Sequence, residues 1–400
     1  MAKSFSADLL VAACGDLSED AGITIRTDLE PIGGPGSPVK PAVYAGGLYQ
    51  LDRRWEQVDG RSEAVDVVVI DNVPSQANRL EAALELLRSR AGLPEMVLDL
   101  SGIGALPPHL PKSLSSFQFP HRQADAYLRD SLLDGAPFAK TKVGKALLAA
   151  SALEPSSLLE WFPQALVFGF WQSHLGKKQS QAKLARSWCS EIAGFRPATT
   201  ETRVLGLKGD PLNLSVDEPA EYNPDDLLEG WAIVEGAKKA GGGKAKERLS
   251  ELGHGQVPVK VSEAAPAGIS FARIEQRSTL SLAGLRRVWA GPEEANAAAR
   301  ALLASIGVSA HVTAFGRSFS LRSGCELRQR STTWTWLGVA GDELIDPPTI
   351  DEAVALVREC AERAEAAGLP TGSKWSVEPL RLEPAPALAN AIRRTWPLES

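Results

Sequence analysis

The stretch PEEANAAARALLASIGVSAHVTAFGRSFSL, residues 292–321, decides how the last third of the chain is read. Pro292 suits a first helical turn and Glu293 and Glu294 favour a helix N-terminus, so an alanine-rich helix opens here, and the pattern ends it at Gly307. Val308–Phe315 and Ser318–Leu321 then alternate as two strands. Working outward, Ile269–Ile274 is strand-like on one side and Thr332–Leu337 on the other. Thr349-Ile350-Asp351-Glu352 forms a capping box for a helix to about Ala367, with Gly368 at its end, and Trp375–Leu382 returns as a strand. Strand, helix, strand, strand, helix, strand is the split-βαβ order, the ferredoxin-like pattern that RNA-recognition modules also use. The expected class is α+β.

Upstream, residues 21–29 alternate as a strand and the loop PIGGPGSPVKP (31–41) cannot be helix or central strand. Val65–Ile70 is a β-branched run that reads as a buried strand, and a helix follows to about Arg90, with Ser75 as its N-cap. Residues 101–145 are irregular. The apolar run 161–171 precedes a polar, helix-like stretch from Gln179 to Ile192 that ends near Gly194, and residues 240–260 read as a mobile basic loop flanking a short helix.

Composition removes several classes. With 400 residues, 44% of them hydrophobic, the chain has ample material for a core. Four widely spaced cysteines suggest neither a disulfide framework nor paired zinc ligands, the first 20 residues lack a secretory apolar run, and no membrane span is expected; a reducing cytoplasm fits. The net charge of -6 is unevenly spread. Residues 177–208 hold seven basic and two acidic side chains, whereas 210–235 hold eight carboxylates and no Lys or Arg, and 342–365 hold eight acids against Arg358 and Arg363. Charges act within about a Debye length, roughly 10 Å, so an acidic protein can still present a basic channel.

No P-loop frame occurs, and the five histidines show neither metal spacing nor a nucleophile elbow. Two segments carry candidate chemistry. Ser75, Gln76, Asn78 and Arg79 stand at a helix start, where free N–H groups, amides and a guanidinium suit a phosphate; simple capping with a solvated Arg79 is the alternative. Lys177, Lys178, Gln179, Lys183 and Arg186, extended by Arg196, Arg203 and Lys208, suit a phosphate backbone held without reading sequence; a solvated basic face is the alternative.

Four stretches, RTDLEPIGGPGSPVKPAVYAGG (26–47), DNVPSQANRLE (71–81), the run from Phe168 to Ser215 and RLSELGHGQVPVK (248–260), with IEQRSTLSLAGLRRV (274–288) as a fifth, resemble the backbone subunit of a type I CRISPR interference complex, of the type I-G (I-U) form in the RAMP superfamily. Asn78 stands where such proteins often have lysine. The resemblance implies one RAMP-type domain over residues 1–400. Its palm is ferredoxin-like, of RRM type, with core strands near 21–29, 65–90 and 266–390. Large insertions over 101–265 form thumb and finger-like loops, including a mobile loop near 236–262. It places the first palm strand at 21–29 rather than 269–274. It also implies a non-catalytic subunit without cofactor or metal that binds CRISPR guide RNA through the residues above and through Arg26, Lys40, His254 and Lys260. The guide pairs with target DNA, further copies of the chain add head to tail into a filament, and other complex subunits and a recruited helicase-nuclease complete the system. The alternative is a RAMP-type metal-dependent ribonuclease using loop acids such as Asp28 or Asp71.

Overall fold

A computed structural model describes residues 4–45, 48–104, 106–171, 183–198 and 268–396, together with Leu212 and short strands at 219–222, 231–233 and 247–248. The fold is α+β. Its frame consists of α1 (Ala7–Ala13), β1 (Gly22–Pro31), β2 (Leu48–Val58), β3 (Arg61–Asp71), α2 (Val73–Ala91), β4 (Trp188–Ala198), β5 (Ser270–Ser281), α3 (Glu293–Phe315), β6 (Phe319–Arg322), β7 (Cys325–Gly338) and α4 (Ile350–Ala366). One antiparallel sheet takes the order β6-β7-β1-β5-β4-β3-β2, with Val43–Tyr44 beyond β2 and Gly341–Leu344 alongside β7. Within it, β1, α2, β4, β5, α3 and β7 follow each other as strand, helix, strand, strand, helix, strand, and the four strands stand in the order fourth, first, third, second.

That arrangement corrects the reading of the last third as one contiguous unit, because β1 and β4 come from far upstream. The strand expected at Trp375–Leu382 exists only as Leu380–Pro384, and it pairs in parallel with Met96–Asp99 in a separate five-stranded sheet. Gly307 does not end its helix. α3 runs on to Phe315, so the strand expected at Val308–Phe315 is its last turns. A Cβ on Gly307 would lie 2.6 Å from the Trp188 ring, so the glycine serves close packing rather than termination. Gly194 repeats the lesson. The helix expected over 179–192 is, in its described part, a short strand at Lys183–Leu184 that pairs with Phe170–Trp171, followed by the strand β4, and a Cβ on Gly194 would lie 2.4 Å from Phe271. The helix cap also moves: Asn72 is the N-cap of α2, its Oδ1 accepting from Ser75 N at 3.2 Å. The capping box at Thr349 and Glu352 forms as the sequence predicts.

One face of the sheet buries Ile23, Ile25, Trp188, Leu280, Trp334 and Trp336 in a core shared with α1, α2, α3 and α4. α3 lies at its centre; it has the length and hydropathy of a membrane span, yet 94% of its most apolar window is buried inside the protein. Arg122, donating from Nε and Nη2 to Glu81 at 2.8 Å and from Nη1 to the Gly169 carbonyl at 2.9 Å, ties the inserted region to α2. At roughly 1.5–3 kcal/mol per fully buried large apolar side chain, these helices hold this face of the sheet firmly.

Candidate nucleic-acid interface

Two arginine-bearing carboxylate clusters sit on this frame. The first lies where β3 enters α2. Strand pairing ends at Asp71, and Pro74 in the first turn fixes the helical start, so the carboxylate of Asp71 points at the helix N-terminus. It is fully buried and accepts from Ser75 Oγ at 2.9 Å, Gln76 Nε2 at 2.5 Å, Arg79 Nε at 3.0 Å and Arg322 Nη2 at 2.7 Å. The two guanidiniums are also spent on the backbone, Arg79 on Leu321 O at 2.8 Å and Arg322 on Lys40 O and Ile70 O at 3.1 and 3.0 Å. Gln76 is buried as well, and its Oε1 accepts from Ser190 Oγ and Gln276 Nε2, both at 2.9 Å.

This changes the reading of the Ser-Gln-x-Asn-Arg start. The anion at the helix N-terminus is the protein's own Asp71, so Gln76 has no solvent face for RNA, and Arg79, although 28% exposed, is committed to Asp71 and Leu321 O. Of Ser75, Gln76, Asn78 and Arg79, only Asn78 is exposed. Asp71, with four donors on it, is equally unavailable as a cleaving acid.

The second cluster covers the sheet face opposite the helices. Period-two alternation along β5 puts Arg273, Glu275 and Arg277 on that face. Register sets Arg26 directly opposite Arg277, and such a like-charge pair needs a counter-ion. Glu275 supplies it. Its side chain is completely buried and accepts from Arg26 Nε at 2.5 Å and from Arg273 and Arg277. Burial works to raise this carboxyl's pKa, but the hydrogen bonds and charges of Arg277, Arg273 and Arg26 outweigh it and hold it below the ordinary glutamate range. Arg273 also stacks over Phe195, 4.0 Å from the ring centre, and reaches Glu56; Arg196 pairs with Glu56 and Glu63 at 3.3 and 3.4 Å. The outer arms stay open to solvent, with Arg26 60% and Arg277 51% exposed. Thr24, Thr279 and Thr333 share this face. Guanidiniums fixed at their base and hydroxyls between them can hold phosphate and ribose oxygens without reading bases.

Of the residues singled out in the sequence, Arg26 and Arg196 lie on this face. Lys40 is half-buried, its N–H donating to Gly324 O at 2.7 Å. Lys183 is exposed and stands over the Trp171 ring at 5.6 Å, and Arg186 is exposed beside it in sequence. Lys177, Lys178, Gln179, Arg203, Lys208, His254 and Lys260, with nearly all of the loop near 236–262, lie outside the described residues. Sequence reasoning missed Arg273, Glu275, Arg277 and Arg322; the alternation from Arg273 to Arg277 was the signal for the first three. Among the described residues, no group of three or more His, Cys, Asp or Glu is placed to hold a metal ion.

Fold and site together define a class: an α+β protein whose helices cover one face of an antiparallel sheet while the other face presents arginines over buried carboxylate. Residues 23–197 match the family model of CRISPR-associated protein GSU0053, a span from β1 almost to the end of β4. The match covers a little under half of the chain and makes that part similar to a CRISPR-associated protein. No curated protein matches the chain.

Proposed function

We propose that this chain is a non-catalytic, guide-RNA-binding backbone subunit of a type I CRISPR interference complex (Cascade), of the type I-G form within the RAMP superfamily, acting in the cytoplasm. The observation that carries the reading is the Arg26–Arg273–Arg277 group held over Glu275 on the open face. Such a row grips a sugar–phosphate backbone of any sequence and leaves base edges free to pair with target DNA, as an RNA-guided complex requires. The fourth-first-third-second strand order is that of a ferredoxin-like palm and supports the same reading. In this reading the basic stretch from Lys177 to Lys208 extends the RNA path, further copies add head to tail, and a separate helicase-nuclease cuts the target.

The test is co-expression with a CRISPR array followed by purification and measurement of retained RNA against salt. Wild type retains RNA; Arg26→Ala with Arg277→Ala, and separately Lys177→Ala with Lys178→Ala and Lys183→Ala, retain less and show a shallower salt dependence. Full retention by both variants refutes the proposed path. Site-specific cleavage of labelled RNA by the purified protein with a divalent metal refutes the non-catalytic role.

A further inference from the structure

The sheet face that carries Arg26 and Arg277 is a lattice whose rows differ in chemistry. Residues paired across neighbouring strands share a face, and so do residues two apart along one strand, so the register fixes the rows. One row, across β4, β5, β1 and β7, reads Glu191, Arg277, Arg26 and Thr333. The next reads Cys189, Thr279, Thr24 and Thr335. Neighbours within a row stand about 5 Å apart, and two residues of strand, roughly 7 Å, separate one row from the next. On the far side of the arginines the row is Ala193, Glu275, Asp28 and Ser331, where the Ser331 hydroxyl already donates to Asp28 at 3.1 Å.

Four threonines therefore border the two exposed guanidiniums. Thr279 and Thr333 are exposed, and Thr24 and Thr335 are half-buried. Among the described residues none of their hydroxyls has a hydrogen-bond partner, whereas on the helix-bearing side Thr27 is paired with Thr332, and Ser190 with Gln76 and Ser278, all at 2.9 Å. Strand preference alone would be met equally well by valine. What valine lacks is an O–H that both donates and accepts. A nucleotide on this face has three parts to place. Its phosphate goes to Arg26 and Arg277, and its base edge turns away to pair. The sugar is left for the hydroxyl row, and what ribose offers there and deoxyribose does not is a 2′-hydroxyl.

We propose that Thr24, Thr279, Thr333 and Thr335 receive ribose 2′-hydroxyls beside the arginine-held phosphates, and so make this face select RNA over single-stranded DNA of the same sequence. This selectivity rests on the RNA-binding reading above and names what that face distinguishes. The test measures binding of the full chain to labelled single strands of one sequence, made as RNA, as DNA and as 2′-fluoro RNA, which keeps an RNA-like sugar shape but has no 2′ donor. One neutral hydrogen bond changes affinity by roughly 2- to 10-fold, so wild type should prefer RNA to DNA by at least about tenfold and hold 2′-fluoro RNA little better than DNA. Thr24→Val, Thr279→Val, Thr333→Val and Thr335→Val together should bring RNA affinity down to that of DNA. The exposed pair Thr279→Val with Thr333→Val should lower the preference partway, and it carries the test if the fourfold variant does not fold. A pair variant that keeps the full wild-type preference overturns the proposal. So does 2′-fluoro RNA that binds as tightly as RNA, because the preference then follows sugar shape. Wild type that binds RNA and DNA equally overturns this selectivity and leaves the RNA path standing. Wild type that binds none of the three strands refutes the RNA reading itself, and the selectivity with it.

Discussion

Asp71 and Glu275 are both fully buried carboxylates surrounded by arginine, yet their arginines are used in opposite ways. Around Asp71, Arg79 and Arg322 turn their remaining donors onto the carbonyls of Leu321, Lys40 and Ile70. Those contacts sew α2, β6 and the loop after β1 together and leave little of either guanidinium for a ligand. Around Glu275, each of three arginines places an arm on the carboxylate, and more than half of Arg26 and of Arg277 stays exposed. A buried acid can thus close a structural joint or serve as a base plate that sets the spacing of a binding face. What separates the two is where the unspent N–H groups point, not the residue types.

The largest effect should come from breaking the joint. Asp71→Ala leaves two guanidiniums and the Gln76 amide facing each other without their acceptor, and removing one side of a buried charged network costs about 3–5 kcal/mol. Thermal or denaturant unfolding should show that loss; a change below about 1 kcal/mol would mean that the joint is not structural. His311 sharpens the comparison as a buried titratable group whose Nδ1 has no hydrogen-bond partner among the described residues, set among the rings of Trp188, Phe315 and Trp334. Burial pushes its pKa down to about 3 from an ordinary 6.5. Between those values the unfolded chain binds a proton that the folded protein refuses. This contribution is therefore complete above pH 6.5 and is lost on acidification, at up to about 1.4 kcal/mol per pH unit. His311→Leu should flatten the acid limb of the stability curve, and an unchanged limb would place the acid sensitivity elsewhere.

The same contrast explains what the sequence made legible. β1, the buried strand ahead of α2, and α4 with its capping box were readable because their signals are local: alternation, a β-branched run, reciprocal caps. Gly307 and Gly194 misled because a glycine that makes room for Trp188 or Phe271 looks, along the chain, the same as one that stops a helix. β4 was hidden further by Ser190, a small polar residue facing inward, whose hydroxyl meets Gln76, Gln276 and Ser278 in a buried network. The site divided likewise. Arg196 stood out as charge and Arg26 through the family resemblance, but whether a guanidinium is spent on a carbonyl 242 residues away, as Arg79 is on Leu321, depends on tertiary contacts that no local pattern records.

The smaller predictions test the base plate. Glu275→Gln keeps the volume and one acceptor while removing the counter-charge beneath three guanidiniums, so stability should fall by about 1–2 kcal/mol, less than for Asp71→Ala because the freed arms can turn into water. RNA binding should become more salt-dependent as the face gains positive charge. Arg26→Ala should move stability by no more than about 0.5 kcal/mol, since its side chain is mostly in solvent and Glu275 keeps two other arginines. Its effect belongs in the binding assay, where loss of one phosphate contact lowers the slope of log affinity against log salt by about 1, equally for guides of unrelated sequence. A stability loss as large as that of Asp71→Ala with an unchanged salt slope would show that Arg26 too is a joint, and the distinction between the two clusters would fail.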